Sequence, residues 1–541
     1  MNNDDTERQN AAGSTAARQE AARKGILEKL KPVTGAWSVN GRDVVFITDF
    51  DLGAEIGGFL TITTPDRVRL LVQIHDLRLA VRDAIRVDVD TSQLGGVESG
   101  ARDSMVRSAN VGMLMRFVEG EGAIVGALHA DGVTRAHADG FADGAIELSA
   151  ARDVQALVES TLGSSAGLVV GRLSRAAVDA TLKASGFARH TFICGQSGSG
   201  KTYSMGVLLE RLLLETDLPL VIVDPNSDYV GLGHLRSRDE INRSRTTPLS
   251  QAAYGRLKAR YRAQARVAVA SVSGGDLPLK IHLSDLTLEE QALTLGLDPI
   301  TDSDEFACLD QAVRTIASDR YGISDVAASL GTQGDEPSRR LAQRISNLGI
   351  SAWSVWAALG EPSLTELGLG HRALVLDTGS LADARERSVV ALALLGRLRR
   401  RPNRSAVSVV IDEAHNVCSP DATSPLERAV ADHTVWIAGE GRKFGIYLVL
   451  ATQRPQKVHR NVISQCDNLL LMRVNSVADL AELSQVFSHV PASMVAEARS
   501  FQLGEMLAAG PVASTPIRLR MGERWSPEGG ADLPTTWASR R

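Results

Sequence analysis

The sequence holds four cysteines, Cys194, Cys308, Cys418 and Cys466, far apart and none at zinc-ligand spacing. That argues against a metal or redox role and leaves them as reduced core or near-core residues. No apolar run approaches the ~20 residues of a membrane span. The opening MNNDDTERQNAAGS lacks the basic start and apolar core of a signal peptide. A cytoplasmic protein without a membrane anchor is therefore expected. Positive charge is not in surplus either: 59 Lys and Arg stand against 64 Asp and Glu, a net charge of −5. This excludes a generally basic surface that coats nucleic acid, so any DNA contact must be concentrated in a local lining. Internal repeats and low-complexity tracts are absent. What remains is ordinary globular composition, 44% hydrophobic and 23% charged over 541 residues, which suits roughly two to four domains with large cores.

Composition changes along the chain. Residues 1–32 are polar, Ala-rich and charged, and predict a flexible extension with a short helix near Ala16–Leu30. Residues 33–150 carry short β-rich runs at Val44–Thr48, Phe59–Thr64, Val68–Ile74, Val111–Phe117 and Ala123–Leu128. Turn signals such as Asn40-Gly41, Gly57-Gly58 and Asp131-Gly132 separate them, which predicts a small barrel or sandwich, with Asp90–Met105 as a loop. From about residue 151 apolar strands alternate with helical stretches. The strands are Thr191–Cys194, Leu220–Val223, Ala373–Asp377, Ser408–Ile411, Tyr447–Leu450 and Asn468–Met472. The helices include Met205–Thr216, Ala382–Arg399 and Pro425–Glu440, and the alternation predicts an α/β domain over 151–520 with a mostly parallel sheet. Residues 235–365 look like a mostly helical insertion, and 521–541 like a polar tail or a strap onto a neighbour.

The chemistry concentrates at Thr191–Thr202, TFICGQSGSGKT. Gly195, Gly200, Lys201 and Thr202 fit the phosphate-binding loop pattern, which a chain of this length should meet by chance roughly 0.02 times. An apolar strand precedes the loop and Met205, Leu208, Leu209, Leu212 and Leu213 follow at helical spacing. Strand, glycine loop and helix start make a polyphosphate cradle over Gly195, Ser197, Gly198, Ser199, Gly200 and Lys201. Thr202 offers a hydroxyl for Mg²⁺. The apolar run Ser408-Val-Val-Ile ends in Asp412 and Glu413, a metal-site acid followed by one placed to polarise water. A second acidic strand end, LVIVDPNSDY, brings Asp224 and Asp228 to the edge where ligands gather in such sheets; an Asx-type turn around Pro225 is the alternative. Gln453, after strand Tyr447–Leu450, is placed to sense the γ-phosphate and to reach Glu413; a loop amide bonded to backbone is the alternative. Arg442 and Lys443 sit in a glycine-flanked segment from which a cation can enter a neighbour's site, with ordinary solvated charge as the alternative. Arg189-His190, just before the loop strand, is placed to contact nucleotide in its own subunit; surface charge plus a satisfied histidine is the alternative. Arg236-Ser-Arg238, Arg243-Ser-Arg245 and Lys457-Val-His459-Arg460 are candidate basic loops for a DNA pore, and solvated surface is the bland reading. The five arginines of Gly396–Arg404 fit the end of a helix, where cations are favoured.

Taken in order, FARH, ICGQSGSGKT, VIVDPNSDY, VVIDEAH, EGRKFGI, ATQRP and SQCDNLLLMR resemble the HerA-type ATPases of the HerA/FtsK superfamily, over residues 33–520. The resemblance implies a RecA-like P-loop ATPase core with a small N-terminal β-barrel over 33–150. It implies ATP and Mg²⁺ as cofactors, and a homo-hexamer that moves double-stranded DNA through its channel. Lys201 and Thr202 would serve phosphate and metal, Asp412 the metal, Glu413 catalysis, Gln453 sensing, Arg189 a same-subunit ATP contact, and Arg442 the inter-subunit finger. Family members work with a nuclease or a defence effector. The sequence carries no nuclease-type acid/Lys cluster or NAD-binding glycine fingerprint elsewhere, so a separate effector protein is expected, in DNA end processing or anti-phage defence. The alternative is an ATP-gated hexameric scaffold that activates a partner with little translocation.

Overall fold

The computed structural model describes residues 34–83, 87–90, 108–111, 114–134, 139–174, 176–243, 247–358, 360–364, 371–402 and 404–529. The expectations for residues 1–32, for most of Asp90–Met105, for Arg245 and for the chain beyond 529 lie outside the described residues. Two compact units part between Ala156 and Leu157.

The first unit contains strands β1 (Gly35–Ser38), β2 (Asp43–Thr48), β3 (Phe59–Thr63), β4 (Arg69–Asp83), β5 (Val87–Asp90), β6 (Ser108–Val111), β7 (Leu114–His129), β8 (Gly132–Thr134) and β9 (Phe141–Leu148). Six of them pair in the order β2-β1-β9-β3-β4-β7, and β2 pairs back onto β7, so the sheet closes into an antiparallel barrel. Strands β5 and β6 form a separate ribbon. Alternation drives closure: Val44 and Phe46 of β2 point inward against Ala36, Leu60, Ile62, Leu70, Val72 and Ile74. Of the run expected at Val111–Phe117, Val111 ends β6, while Leu114–Phe117 and the run Ala123–Leu128 belong to the one strand β7, continuous through a glycine-rich stretch that reads as a break. Phe46 explains this, because its ring lies where a Cβ on Gly120 would fall. Glycine there marks close packing rather than a turn.

The second unit is built on a twelve-stranded sheet. Its strands are β10 (Gly167–Leu173), β11 (Asp179–Lys183), β12 (Thr191–Cys194), β13 (Leu220–Asp224), β14 (Val267–Ser271), β15 (Leu277–Pro278), β16 (Ala373–Asp377), β17 (Val407–Ile411), β18 (Ile446–Thr452), β19 (Asn468–Leu471), β20 (Glu505–Ala509) and β21 (Ile517–Met521). The order is β11-β10-β21-β20-β19-β12-β18-β17-β13-β16-β14-β15. Strands from β19 to β15 run parallel, and β20, β21, β10 and β11 add an antiparallel hem. The central strands β12, β13, β16 and β17 are buried at every position, as near-continuous apolar runs require.

Strands β14 and β15 interrupt the mostly helical stretch 235–365. Val267-Ala-Val-Ala pairs with β16 and extends the sheet edge, while helices Leu288–Thr294, Ser303–Thr315, Ile323–Gln333 and Glu336–Asn347 form the helical part. The arginines of Gly396–Arg404 have particular partners rather than a dipole alone. Arg399 stacks over Trp436, Arg400 bonds Glu290 at 2.8 Å, and Arg401 bonds the Phe444 carbonyl at 2.5 Å.

Candidate active site

Parallel strands deliver their loops to one edge of the sheet, and the site is assembled there. Strand β12 opens into the glycine loop and then into helix Lys201–Glu215. Gly200, at φ 90°, turns the chain into the helix and has no side chain to cap it, so the first-turn N–H groups remain available to an anion. The loop is braced from outside: Gln196 N–H donates to the Arg473 carbonyl (2.9 Å) and the Arg473 guanidinium to the Gly198 carbonyl (3.0 Å).

Because β18 lies between β12 and β17, Gln453 stands between the glycine loop and the acidic strand end. Lys201 is buried. Its ammonium bonds the Asp412 carboxylate and lies 3.4 Å from Glu413 Oε1. Burial works against that charge, but Asp412 and Glu413 outweigh it and hold Lys201 above the ordinary lysine value. Asp412 also accepts from the Tyr229 hydroxyl (3.1 Å) and from the Glu413 N–H (2.8 Å). Glu413 adopts φ 46° and ψ 50°, a left-handed conformation that costs a non-glycine residue about 1–2 kcal/mol. That twist turns its carboxylate toward the cavity. Gln453 Nε2 donates to Glu413 Oε1 at 2.8 Å. His415 Nδ1 lies 3.2 Å from Oε2 and 3.1 Å from the Thr452 hydroxyl. Burial holds His415 below the ordinary histidine range, so at neutral pH it is uncharged and Oε2 has no strong counter-ion.

Ser197, Gly198, Gly200, Lys201, Thr202, Glu413 and Gln453 all line one cavity of about 830 Å³, a volume in the range of small-molecule sites. Gly195 and Ser199 lie behind the loop and are buried. Thr202 Oγ1 and the Asp412 carboxylate are hard oxygen donors of the kind Mg²⁺ selects, and they fit that ion.

The two acids of the β13 loop separate. Asp224 is fully buried and accepts from the N–H groups of Asp228 (2.9 Å) and Tyr229 (2.8 Å), the turn arrangement weighed against catalysis above. Burial pushes its carboxyl up to about 7. Asp228 lines the cavity, and burial, Asp412 and Glu528 push it up to about 6. Arg189 stands at the start of β12, with the length of that strand between it and the glycine loop. Over the six residues from Arg189 to Gly195, at ~3.3 Å per residue, this is roughly 20 Å. Its guanidinium is 3.7 Å from Asp467, which also takes a 2.9 Å bond from Arg442. Arg189 and Arg442 therefore share one carboxylate at the sheet edge opposite the loop. His190 is buried and accepts from the Leu448 N–H at 2.9 Å, and burial and Arg442 push it down to about 4. Lys443 pairs with Glu440. Of the basic runs, Arg236 bonds the Arg524 carbonyl, Arg238 lies near Asp239, Lys457 pairs with Asp421, and Arg460 is exposed.

One whole wall of the cavity comes from a segment that carries no motif. Residues 522–529 run back across the unit as a strap. Arg524, 1% exposed, donates to the carbonyls of Asp228 and Pro527. Glu210 accepts from the N–H groups of Trp525 and Ser526, and Arg211 stacks 3.4 Å over Trp525. The strap and the preceding strand bring Arg520, Gly522, Glu523 and Glu528 to the cavity, which Leu503 also lines. Tyr229 was also missed as a partner of Asp412, although it ends the acidic-strand motif.

Among known proteins, residues 168–397 match the family described as helicase HerA, central domain. A probable helicase of Methanocaldococcus jannaschii is 26% identical over 152 residues, 27% of this chain and 29% of that relative. The DNA double-strand break repair helicase HerA of Saccharolobus solfataricus is 23% identical over 367 residues, 65% of this chain and 68% of that relative. Among solved structures, VirB4 of Thermoanaerobacter pseudethanolicus aligns with a TM-score of 0.44 at 16% identity, over 66% of this chain and 96% of that one. The matched stretch spans under a third of the first of these relatives. The loop, the acidic strand end and the polar strand end are assembled at one sheet edge, and the family match over residues 168–397 and the HerA relatives support a HerA-type ATPase.

Proposed function

We propose that this protein is an ATP-driven motor that moves double-stranded DNA, working as a homo-hexamer alongside a separate nuclease or defence effector. The observation that carries the reading is the Lys201–Glu413–Gln453 cluster at the mouth of the glycine loop. ATP would lay its phosphates along the loop, with the terminal phosphate beside Lys201. Bound between Thr202 and Asp412, Mg²⁺ would neutralise charge on the phosphate oxygens. Glu413 Oε2 accepts a hydrogen bond from the attacking water and polarises it, while Gln453 holds the other carboxylate oxygen in place. The charge needed for phosphoryl transfer is completed by a cation from the next subunit, for which Arg442, with Arg189 beside it, is the candidate. Hydrolysis then loosens the shared boundary, and basic loops shift along the DNA backbone.

One observation favours the scaffold alternative. Two of the basic runs expected at a DNA pore spend a cation inside the subunit, Arg236 on the strap and Lys457 on Asp421. ATPase assays with and without linear duplex DNA separate the two. A motor is stimulated by DNA; equal rates favour the scaffold.

A further inference from the structure

Charge is shared unevenly along the second unit. Between residues 241 and 275 the sequence holds seven Lys and Arg and no Asp or Glu, in a chain where acids outnumber bases. The centre of that stretch is helix Gln251–Gln264, capped where the Ser250 hydroxyl accepts from the Ala253 N–H (3.2 Å). Two tyrosines fix its inner side. Tyr261 is buried and donates to the Leu232 carbonyl (2.5 Å), and Tyr254 donates to the Arg236 carbonyl (3.0 Å). With about 3.6 residues per turn, Ala252, Gly255, Ala259 and Ala263 then form the outer face, and all of them are exposed. A Cβ on Gly255 would meet nothing within 4 Å. Arg256 and Arg260 flank this ridge on one side, Lys258 and Arg262 on the other, and Arg266 follows the helix.

Most of these cations lack the partners that exposed arginines have elsewhere in the unit. Arg260 pairs with Glu215 (2.5 Å). Arg256, Lys258, Arg262 and Arg266 are exposed and make no side-chain hydrogen bond or ion pair among the described residues. In the helical part, by contrast, Arg314 pairs with Asp310 and Arg339 with Glu336. Arg256 with Arg260, and Lys258 with Arg262, are moreover like charges one helical turn apart, a spacing that destabilises a helix. The helix is also remote from the nucleotide: none of its residues lines the cavity beside the glycine loop. Arg266 stands just before β14, at the sheet edge opposite that loop. Four strands lie between β14 and β12 in the sheet, so at ~4.8 Å per step the two strands are roughly 24 Å apart.

We infer that this helix is a contact for the phosphate backbone of duplex DNA, separate from the ATP site and from the basic runs expected at a pore. Arg256 to Arg262 spans roughly 9 Å of helix axis, over which each strand of a duplex presents about three phosphates. The Ala and Gly ridge lets the sugar–phosphate backbone settle between the two cationic flanks. Tyr254 and Tyr261 are spent on the inner side, so the helix offers no ring to stack on unpaired bases. The ridge carries no amide or carboxylate to read base edges, so the contact is blind to sequence. The inference goes beyond the motor reading, because the contact needs neither ATP nor movement.

The test titrates the full chain, without nucleotide, against a fluorescent duplex of about 30 base pairs at several salt concentrations. Arg256→Gln, Lys258→Gln and Arg262→Gln combined should lose at least about tenfold in affinity. The slope of log affinity against log salt should become shallower by about 2–3, since each phosphate contact contributes about 0.9. An unchanged far-ultraviolet circular dichroism spectrum checks that the variant is folded. Arg314→Gln, Arg339→Gln and Arg385→Gln combined remove the same charge from exposed arginines that have carboxylate partners. That control should bind within about threefold of wild type. Equal losses in the two triple variants would reduce the effect to net charge and overturn the inference. So would an unchanged slope in the helix variant. A wild type that binds poly-glutamate through this helix but no duplex would also overturn it, in favour of an acidic protein. With no nucleotide present, the outcome is independent of whether hydrolysis moves DNA.

Discussion

Glu413 is held in a left-handed backbone conformation between two hydrogen-bonded neighbours, Asp412 and Gln453. Strain of this kind persists only where the surroundings over-determine it. Its proposed role is to present one free carboxylate oxygen to water. Glu413→Gln should therefore bind Mg·ATP within about threefold of wild type while turnover falls by at least about 100-fold. Retained hydrolysis in a steady-state assay would remove Glu413 from that role. Asp228 carries a second prediction. Burial and neighbouring acids raise its carboxyl from 3.8 to about 6, so the folded state holds its proton more tightly than the unfolded chain. Its contribution to stability is then present at low pH and is lost as pH rises through about 6. Asp228→Asn cannot ionise. Its thermal midpoint should fall less steeply than that of the wild type between about pH 4 and pH 6.5, and parallel slopes would contradict the shift.

At the scale of elements, the parallel strands were legible because buried β-branched runs ending in Gly or Asp have few other readings. Thr191–Cys194 and Ala373–Asp377 stand at the expected residues. The antiparallel hem was not legible. Strand β10 carries Gly167 and Gly171 and alternates weakly, and Gly171 is there because the Arg520 carbonyl crosses where a Cβ would be. The strap was hidden for a related reason. Pro, Gly and polar residues read as a tail, yet its order comes from Glu210 and Arg524, whose partners lie hundreds of residues away. At the site, the motif residues were legible by type, while Asp224's burial under its own turn and Arg189's distance from the loop depend on strand direction and register. In the barrel, Gly120→Val would force a side chain into the Phe46 ring. We expect a loss of at least about 1–3 kcal/mol in denaturant unfolding of the barrel unit. A variant as stable as wild type would show that Phe46 can move aside.

At the scale of the whole molecule, a shared site needs a cation on the side of the subunit away from its own loop. Arg442 and Arg189 meet that requirement, together on Asp467. Mixing Lys201→Ala with Arg442→Ala subunits should restore ATPase activity above either variant alone, because some boundaries then pair an intact loop with an intact arginine. No recovery on mixing would place the arginine's effect within its own subunit. The central claim, that hydrolysis at this site moves the protein along duplex DNA, is tested most directly by displacement of a triplex-forming strand from linear double-stranded DNA. ATP-dependent displacement is expected of the wild type and none of Lys201→Ala or Glu413→Gln. A wild type that hydrolyses ATP but never displaces the third strand would contradict it.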